Sequence, residues 1–242
     1  MTDNIFKLPL LQAISDWQIN SSPKRAVILK EQSASLPLKF RSGVKRCYRQ
    51  VALEKSYVWD LIIDEALKEK VSSWTINLPV AMAFKNGVPP QGGIFQGVIL
   101  MMERPLSDRI ILNINRLYKD RNFLNALDEN KSSITNYEKG AGRYKNSQQE
   151  VVIEMESITK NQIRSLGGYT SNIEDLKNLV HTDIYIKLGR LATPHELAIA
   201  ESLSGPSWLS TESTRRVLGR MNLYTESLQE IKRLQKLPQT SA

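Results

Sequence analysis

The feature that most constrains the fold is a change of pattern at Gly167-Gly168. Before this point, short segments rich in β-branched and apolar residues alternate with amphipathic or polar ones, and the run from Ile94 to Met102 is a clear buried strand. After it, from Ile173 onward, the pattern is helical. A region of strands and helices followed by a helical region predicts an α+β fold.

The same pattern divides the chain into three parts. We expect an N-terminal extension over residues 1–36, a mixed α+β domain over 37–170 and a helical C-terminal appendage over 171–242. Within the extension, helical spacing predicts a helix from Leu8 to Ile19. The elements predicted in the domain are a strand end at Leu38 to Phe40, a strand at Lys45 to Leu53, a helix at Tyr57 to Lys70, a strand at Val71 to Ile76, a helix at Asn77 to Phe84, strands at Ile94 to Met102 and Arg109 to Ile114, a helix at Asn115 to Leu127 and a strand at Gln149 to Met155.

The formal charge of +8 indicates partners that carry negative charge. A basic surface attracts phosphates, acidic proteins or anionic membranes. Lysine and arginine are scattered along the chain rather than gathered in one tract, so a soluble protein with a positive surface and no polyanion partner is the alternative.

Cysteine content and hydropathy indicate the compartment. No apolar run reaches membrane-spanning length and no basic segment precedes an apolar stretch at the start, so we expect neither a membrane partner nor secretion. The single cysteine, Cys47, excludes an internal disulfide and fits a reducing cytoplasm. With His181 and His195 as the only histidines, no metal site is expected.

Three short segments carry residues suited to chemistry. Val71 to Thr75 (VSSWT) is a hydroxyl-rich strand that runs into a helix of small residues. In Asn146 to Ile153 (NSQQEVVI), the carboxylate of Glu150 lies at the start of an apolar strand, directly after a long polar loop. Upstream of both, Tyr48-Arg49 lies in an extended segment.

These segments resemble, in order and approximate spacing, the three motifs of the ADP-ribosyltransferase superfamily of the Arg–Ser–Glu type. Tyr48-Arg49 corresponds to the arginine on the first core strand, Ser73-Trp74-Thr75 to the Ser-x-Ser/Thr strand, and Gln148-Gln149-Glu150 to the Gln/Glu-x-Glu motif. The resemblance covers roughly residues 40 to 165. It implies an ADP-ribosyltransferase-like mixed β core with flanking helices, and NAD as co-substrate.

The resemblance also implies a role for each matched residue. Glu150, Gln148 and Ser73 would be the catalytic residues, and Arg49, Ser73 and Thr75 would bind NAD. The family often has glycine after the first arginine, where this chain has Gln50, and Arg41 in Arg41-Ser42-Gly43 is therefore the competing first-motif arginine.

The chemistry of the reaction suits these residue types. Breaking the nicotinamide–ribose bond leaves positive charge on the ribose, as in glycoside hydrolysis, and a fixed carboxylate such as that of Glu150 stabilises it. An arginine offers a planar fork to the two phosphates of NAD. Each residue also has an ordinary interpretation: Glu150 as a charged strand end, Ser73 and Thr75 as solvent-facing strand positions, and Arg49 in a surface ion pair.

The sequence therefore predicts an NAD-dependent mono-ADP-ribosyltransferase, a glycosyltransferase that modifies an intracellular macromolecule. The basic charge and Gln148 favour RNA or DNA slightly over protein as the acceptor. A toxin of a toxin–antitoxin system or an antiviral defence effector would fit this activity, with an antitoxin or inhibitor protein as a further partner. The alternative is a non-enzymatic nucleic-acid-binding protein whose tail imitates a helix-turn-helix, with Arg215, Arg216 and Arg220 facing phosphates.

Overall fold

The structure, a computed structural model, describes residues 4–63, 66–90, 93–169, 173–203 and 205–235. The chain forms two compact units. Unit 1 contains residues 1–49, 64–81 and 100–162, and unit 2 contains residues 50–63, 82–99 and 163–242. The fold is α+β, with antiparallel strand pairs in both units.

The helices and strands are named in chain order. The helices are α1 (Leu8–Ile19), α2 (Pro23–Ser33), α3 (Lys55–Ile62), α4 (Leu78–Ala83), α5 (Ile114–Leu117), α6 (Arg121–Asn130), α7 (Ala141–Tyr144), α8 (Ile173–Leu188), α9 (Pro194–Leu203), α10 (Thr211–Asn222) and α11 (Thr225–Gln235). The strands are β1 (Arg46–Glu54), β2 (Leu67–Lys68), β3 (Val71–Thr75), β4 (Phe95–Glu103), β5 (Ile110–Leu112), β6 (Glu150–Glu154), β7 (Ser157–Ile158), β8 (Ile163–Tyr169) and β9 (Pro206–Trp208).

Several sequence-based elements are confirmed with small shifts of boundary. Helix α1 has the predicted bounds, and strands β1, β3, β4 and β6 lie where apolar patterning indicated. The prediction of one helix from Tyr57 to Lys70 is wrong beyond Ile62, because Leu67 and Lys68 pair with β7. That pairing joins distant segments, and helical periodicity cannot indicate it.

Three other predictions need correction. The predicted helix from Asn115 to Leu127 is two helices, because the Asp120 carboxylate accepts hydrogen bonds from the backbone N–H groups of Asn122 and Phe123 and begins α6 anew. The predicted strand end at Leu38 to Phe40 is part of a 3-10 helix, Leu38–Arg41. The tail is not wholly helical, since β9 pairs with β8.

In unit 1 the strand order is β5-β6-β3-β1-β4. Thr75 of β3 lies directly between Glu150 of β6 and Tyr48 of β1. Because successive side chains of a strand point to opposite faces, Tyr48, Ser73, Thr75 and Glu150 share one face and Arg49 lies on the other. We call the first the Glu150 face and the second the Arg49 face.

Helices α1, α2 and α6 form the main hydrophobic core of unit 1 with side chains of the sheet. Leu10, Leu11, Ile14 and Trp17 of α1 belong to this core, as does Val152, which pairs with Ser73 and so lies on the Glu150 face. The predicted domain boundaries after residues 36 and 170 stay predictions. The structure adds that two helices from the predicted N-terminal extension lie in this core.

Unit 2 has the strand order β1-β4-β8-β9. Gly97 of β4 admits a close approach, since a Cβ atom there would lie 2.6 Å from Pro89 Cδ and 3.0 Å from the Trp208 ring. The Trp208 indole donates to the carbonyl of Met82 at 2.9 Å. Within the described ranges, no helix is long and apolar enough to cross a membrane.

Candidate active site

Strands β3 and β6 bring two of the sequence-predicted residues into contact. They are adjacent and antiparallel, with Thr75 opposite Glu150 and Ser73 opposite Val152. Ser73 and Glu150 are therefore diagonal neighbours on one face, within reach of each other. The Ser73 hydroxyl donates to Glu150 Oε1 at 2.5 Å. Two residues from different sequence motifs are thus joined by a direct hydrogen bond in the sheet.

A third residue, Trp17 of α1, completes this contact and was missed by the sequence analysis. Its indole Nε1 lies 2.8 Å from Glu150 Oε1 and 3.0 Å from Ser73 Oγ, so one N–H faces both oxygens. The signal that could have found it is the apolar spacing Leu10, Ile14, Trp17, which places an indole on the buried side of the helix. A buried indole N–H needs a partner, and here the partners come from the sheet.

The Glu150 carboxyl is enclosed, with only 3% of the residue exposed. Burial raises the pKa of Glu150, and hydrogen bonds from Ser73 and Trp17, with a smaller effect of the nearby Gln18 amide, offset part of that rise. Gln18 is near enough to affect the carboxyl, but its Nε2 donates to the carbonyl of Lys145 at 3.5 Å. Within the described part of the chain, no hydrogen-bond partner reaches the buried Oε2 atom.

The predicted phosphate-binding residue, Arg49, is not brought to Glu150. It lies on the Arg49 face, where its guanidinium contacts Glu69 at 2.5 Å. The side chains of this ion pair are 25% and 20% exposed. The separation follows from strand alternation, because Tyr48 and not Arg49 is in register with Thr75.

Arg41, the competing first-motif arginine, ends the 3-10 helix Leu38–Arg41. It directly follows Phe40, which lies in the hydrophobic core of α1. Its buried Nε atom has no hydrogen-bond partner among the residues that the structure describes. The Nε atom of Arg41 is therefore a donor without an acceptor in the described residues, whereas the Arg49 guanidinium is paired with Glu69.

The two remaining predicted residues have separate surroundings. Gln148, two residues before Glu150, would share its face if the strand reached that far, but β6 begins at Glu150 and Gln149 has a φ of 44°. Strand alternation therefore does not extend to Gln148, which lies half-buried in the preceding loop. Thr75 is buried, and its hydroxyl accepts a hydrogen bond from the backbone N–H of Asn77 at 3.1 Å, just before α4.

A ligand can reach Glu150 only if a segment moves, and two segments differ in what their movement costs. Displacing α1 would expose Leu10, Leu11, Ile14 and Trp17, at about 1.5–3 kcal/mol for each side chain, which approaches the whole stability of a domain. The loop of residues 145–149, between α7 and β6, is exposed or half-buried. Displacement of this loop, which directly precedes Glu150, would therefore cost less than displacement of α1.

Backbone conformation in this loop supports the same choice. Lys145 has φ 46° and ψ −124°, a region that residues other than glycine rarely occupy. Gln149, directly before Glu150, also has a positive φ. Such conformations persist only when their surroundings impose them, and they concentrate at functional sites.

Unit 2 has two features that bear on function, a groove and a set of exposed arginines. A groove of about 410 Å³ between α8 and α9 is lined mainly by apolar side chains, and none of the predicted site residues lines it. Arg215, Arg216 and Arg220 are exposed on α10, as the nucleic-acid-binding alternative requires. Strand β9 separates α9 from α10, so these two helices are not joined by the short turn of a helix-turn-helix.

Comparisons of the chain with protein-family models, curated proteins and solved structures find no match. The resemblance to ADP-ribosyltransferases therefore rests on the motif residues and their order.

Proposed function

We propose that this chain is an NAD-dependent mono-ADP-ribosyltransferase in which Glu150 is the reacting carboxylate. The observation that supports the proposal is the hydrogen bond between Ser73 and Glu150, two motif residues that lie 77 positions apart in the sequence. A carboxylate held by a hydroxyl in a water-excluded site is suited to stabilise a developing cation.

The proposed reaction breaks the bond between nicotinamide and the ribose. Nicotinamide leaves with the electron pair of that bond, and the ribose becomes oxocarbenium-like. The ionised Glu150 stabilises this charge, an acceptor nucleophile forms the new bond to the same carbon, and the nucleophile's proton is released. Since burial raises the pKa of Glu150, exposure of the carboxyl when a ligand enters would favour the ionised form that the reaction needs.

The two phosphates of NAD require a cation near the Glu150 face. Arg49 is the sequence-based choice, and its use would require exchange of Glu69 for phosphate. Arg41 has an unpaired buried donor and follows a core residue of unit 1, which supports it as the alternative. Bidentate contact with phosphate suits either guanidinium.

The proposed acceptor is a nucleic acid in the cytoplasm. The charge of +8 favours a phosphate backbone, and Gln148 in the loop before Glu150 is the residue proposed to orient the acceptor. A single strand, with its bases unstacked, would present a base to this site most easily. An enzyme of this kind could act as a toxin or antiviral effector restrained by an inhibitor protein.

Incubation with labelled NAD and cell lysate, followed by separate digestion of the product with nuclease and with protease, tests the proposal. Label that resists protease and disappears with nuclease is the expected result. Label with the opposite sensitivity would keep the transferase and replace the acceptor with protein. If purified chain neither labels lysate nor releases nicotinamide, the transferase is refuted, and salt-sensitive nucleic-acid binding would then favour the non-enzymatic alternative.

A further inference from the structure

We propose that Trp17 is a positioning residue of the Glu150 site, whose indole N–H, with the Ser73 hydroxyl, fixes Oε1 and leaves Oε2 to meet the ribose. The proposal rests on the proposed transferase function. It adds a residue from α1, outside the three sequence motifs, and it assigns different roles to the two oxygens of one carboxyl.

The geometry places both donors on the same oxygen. Ser73 donates to Oε1 at 2.5 Å and Trp17 donates to Oε1 at 2.8 Å, while the indole N–H also faces Ser73 Oγ at 3.0 Å. Three groups from α1, β3 and β6 thus form a closed triangle. Rotation of the Glu150 carboxyl would break the hydrogen bonds that Ser73 and Trp17 donate to Oε1. The plane of the carboxyl is therefore fixed, and so is the direction in which Oε2 points.

Trp17 differs from a tryptophan that serves packing alone. Trp74 is equally buried, at 2% exposure, but its indole donates to Ser72 Oγ at 3.0 Å within its own strand. The Trp17 indole instead donates to a carboxyl 133 positions away. The two tryptophans are therefore a matched pair for mutation. Both are buried and both donate a hydrogen bond, but the acceptor is Glu150 for Trp17 and Ser72 for Trp74.

Neighbouring polar contacts hold the last turn of α1 against the site. Gln18 donates to the carbonyl of Lys145 at 3.5 Å and accepts from the Tyr118 hydroxyl at 3.4 Å. Tyr118 is the titratable neighbour here: burial raises the pKa of its hydroxyl most, and the charges of Tyr137 and Glu150 raise it further. These contacts tether Gln18, the residue directly after Trp17, to the segments around it.

Indole resonances provide a test that needs no turnover. The four tryptophans of the chain give few indole ¹H–¹⁵N signals, and Trp17→Phe identifies the one from Trp17. We expect this signal to move as Glu150 titrates and to lose that titration in Glu150→Gln, while the Trp74 signal is unaffected. A Trp17 signal that does not respond to Glu150→Gln in the folded chain would overturn the proposal.

Kinetics with matched variants tests the role in the reaction. Trp17→Phe retains an aromatic side chain and removes the N–H, so kcat should fall between about tenfold and a hundredfold, the range for a hydrogen bond to a charged group, with little change in KM. Loss of a donor to the carboxylate raises the pKa of Glu150, so the rise of activity with pH should shift to higher pH. Trp74→Phe should leave that pH profile in place.

The two possible failures can be told apart. If Trp17→Phe and Trp74→Phe lose equal amounts of kcat and both keep the pH profile of the native chain, Trp17 serves packing alone. Absence of turnover in the native chain would refute the transferase and with it the reacting role of Oε2, while the indole signals would still decide whether Trp17 holds the carboxyl.

Discussion

The two faces of the unit 1 sheet hold their acids in different ways. On the Glu150 face, the carboxyl meets neutral donors, Ser73 and Trp17, and is almost wholly buried. On the Arg49 face, Glu69 meets a guanidinium and both side chains keep some exposure. The first arrangement suits a carboxyl whose protonation changes during function, since its partners bind either form. The second suits a stable ion pair that is partly screened by solvent.

The difference also shows why motif order is an incomplete guide to a site. Tyr48-Arg49 and Ser73-Trp74-Thr75 lie on neighbouring strands. Register then decides which side chain of each pair faces Glu150, and a shift of one residue changes the face. Arg49 therefore lies on a strand next to that of Ser73, but its side chain is on the face opposite Glu150.

The largest expected effect concerns the helix that covers the Glu150 face. Leu11→Ala removes a fully buried side chain of α1 and should lower the free energy of unfolding by about 2–5 kcal/mol. Leu8→Ala, in the same helix at 38% exposure, should cost far less. Urea denaturation measures both. Equal and small losses would mean that α1 is a detachable extension and that the Glu150 face is open without it.

Activity should depend on the buried carboxylate of Glu150. Glu150→Gln keeps the shape of the side chain but removes the charge, and should lower the transfer rate on the order of 10²–10³-fold. Glu154→Gln changes the same strand at an exposed position, paired with Lys30, and should leave the rate unchanged. Nicotinamide release from NAD is the measurement. Equal rates for native chain and Glu150→Gln would remove Glu150 from the site.

The pH dependence of stability should report the burial of the Glu150 carboxyl. Since the folded-state pKa of Glu150 is raised above the unfolded value near 4.5, ionisation opposes folding, and native stability is progressively lost as pH rises from that value to the folded pKa. Glu150→Gln cannot ionise, so its stability relative to the native chain should increase over this window by at most about 1.4 kcal/mol per pH unit. Unfolding of the native chain and the variant at a series of pH values measures this, and parallel curves would contradict the buried carboxyl.

The smallest expected effect distinguishes the arginines. Because Arg49 lies on the opposite face and binds Glu69, we expect Arg41→Ala to weaken NAD binding by roughly tenfold, the value of one charge-assisted contact, and Arg49→Ala to weaken it less. Calorimetric titration with NAD compares the variants. The reverse order would support the sequence-based assignment of Arg49 and place the phosphates on the Arg49 face.

Local pattern was a good guide wherever one periodicity ran without interruption. The bounds of α1 and the positions of β3 and β6 follow from the spacing of apolar residues. Errors arose where a distant segment or a cap intervened. Leu67 and Lys68 left the predicted helix to pair with β7, and Asp120 divided another helix in two.

The sequence by itself determined the α+β class, the main strands and the residue types available for chemistry, because these depend on near neighbours and on side-chain properties. Tertiary structure alone decided which of them meet. Strand register brought Ser73 to Glu150 and turned Arg49 away. Packing of α1 then brought Trp17 onto Oε1 and enclosed the carboxyl. The pKa of Glu150 rises because of that burial, an effect of surroundings assembled from three distant segments, which no local pattern contains.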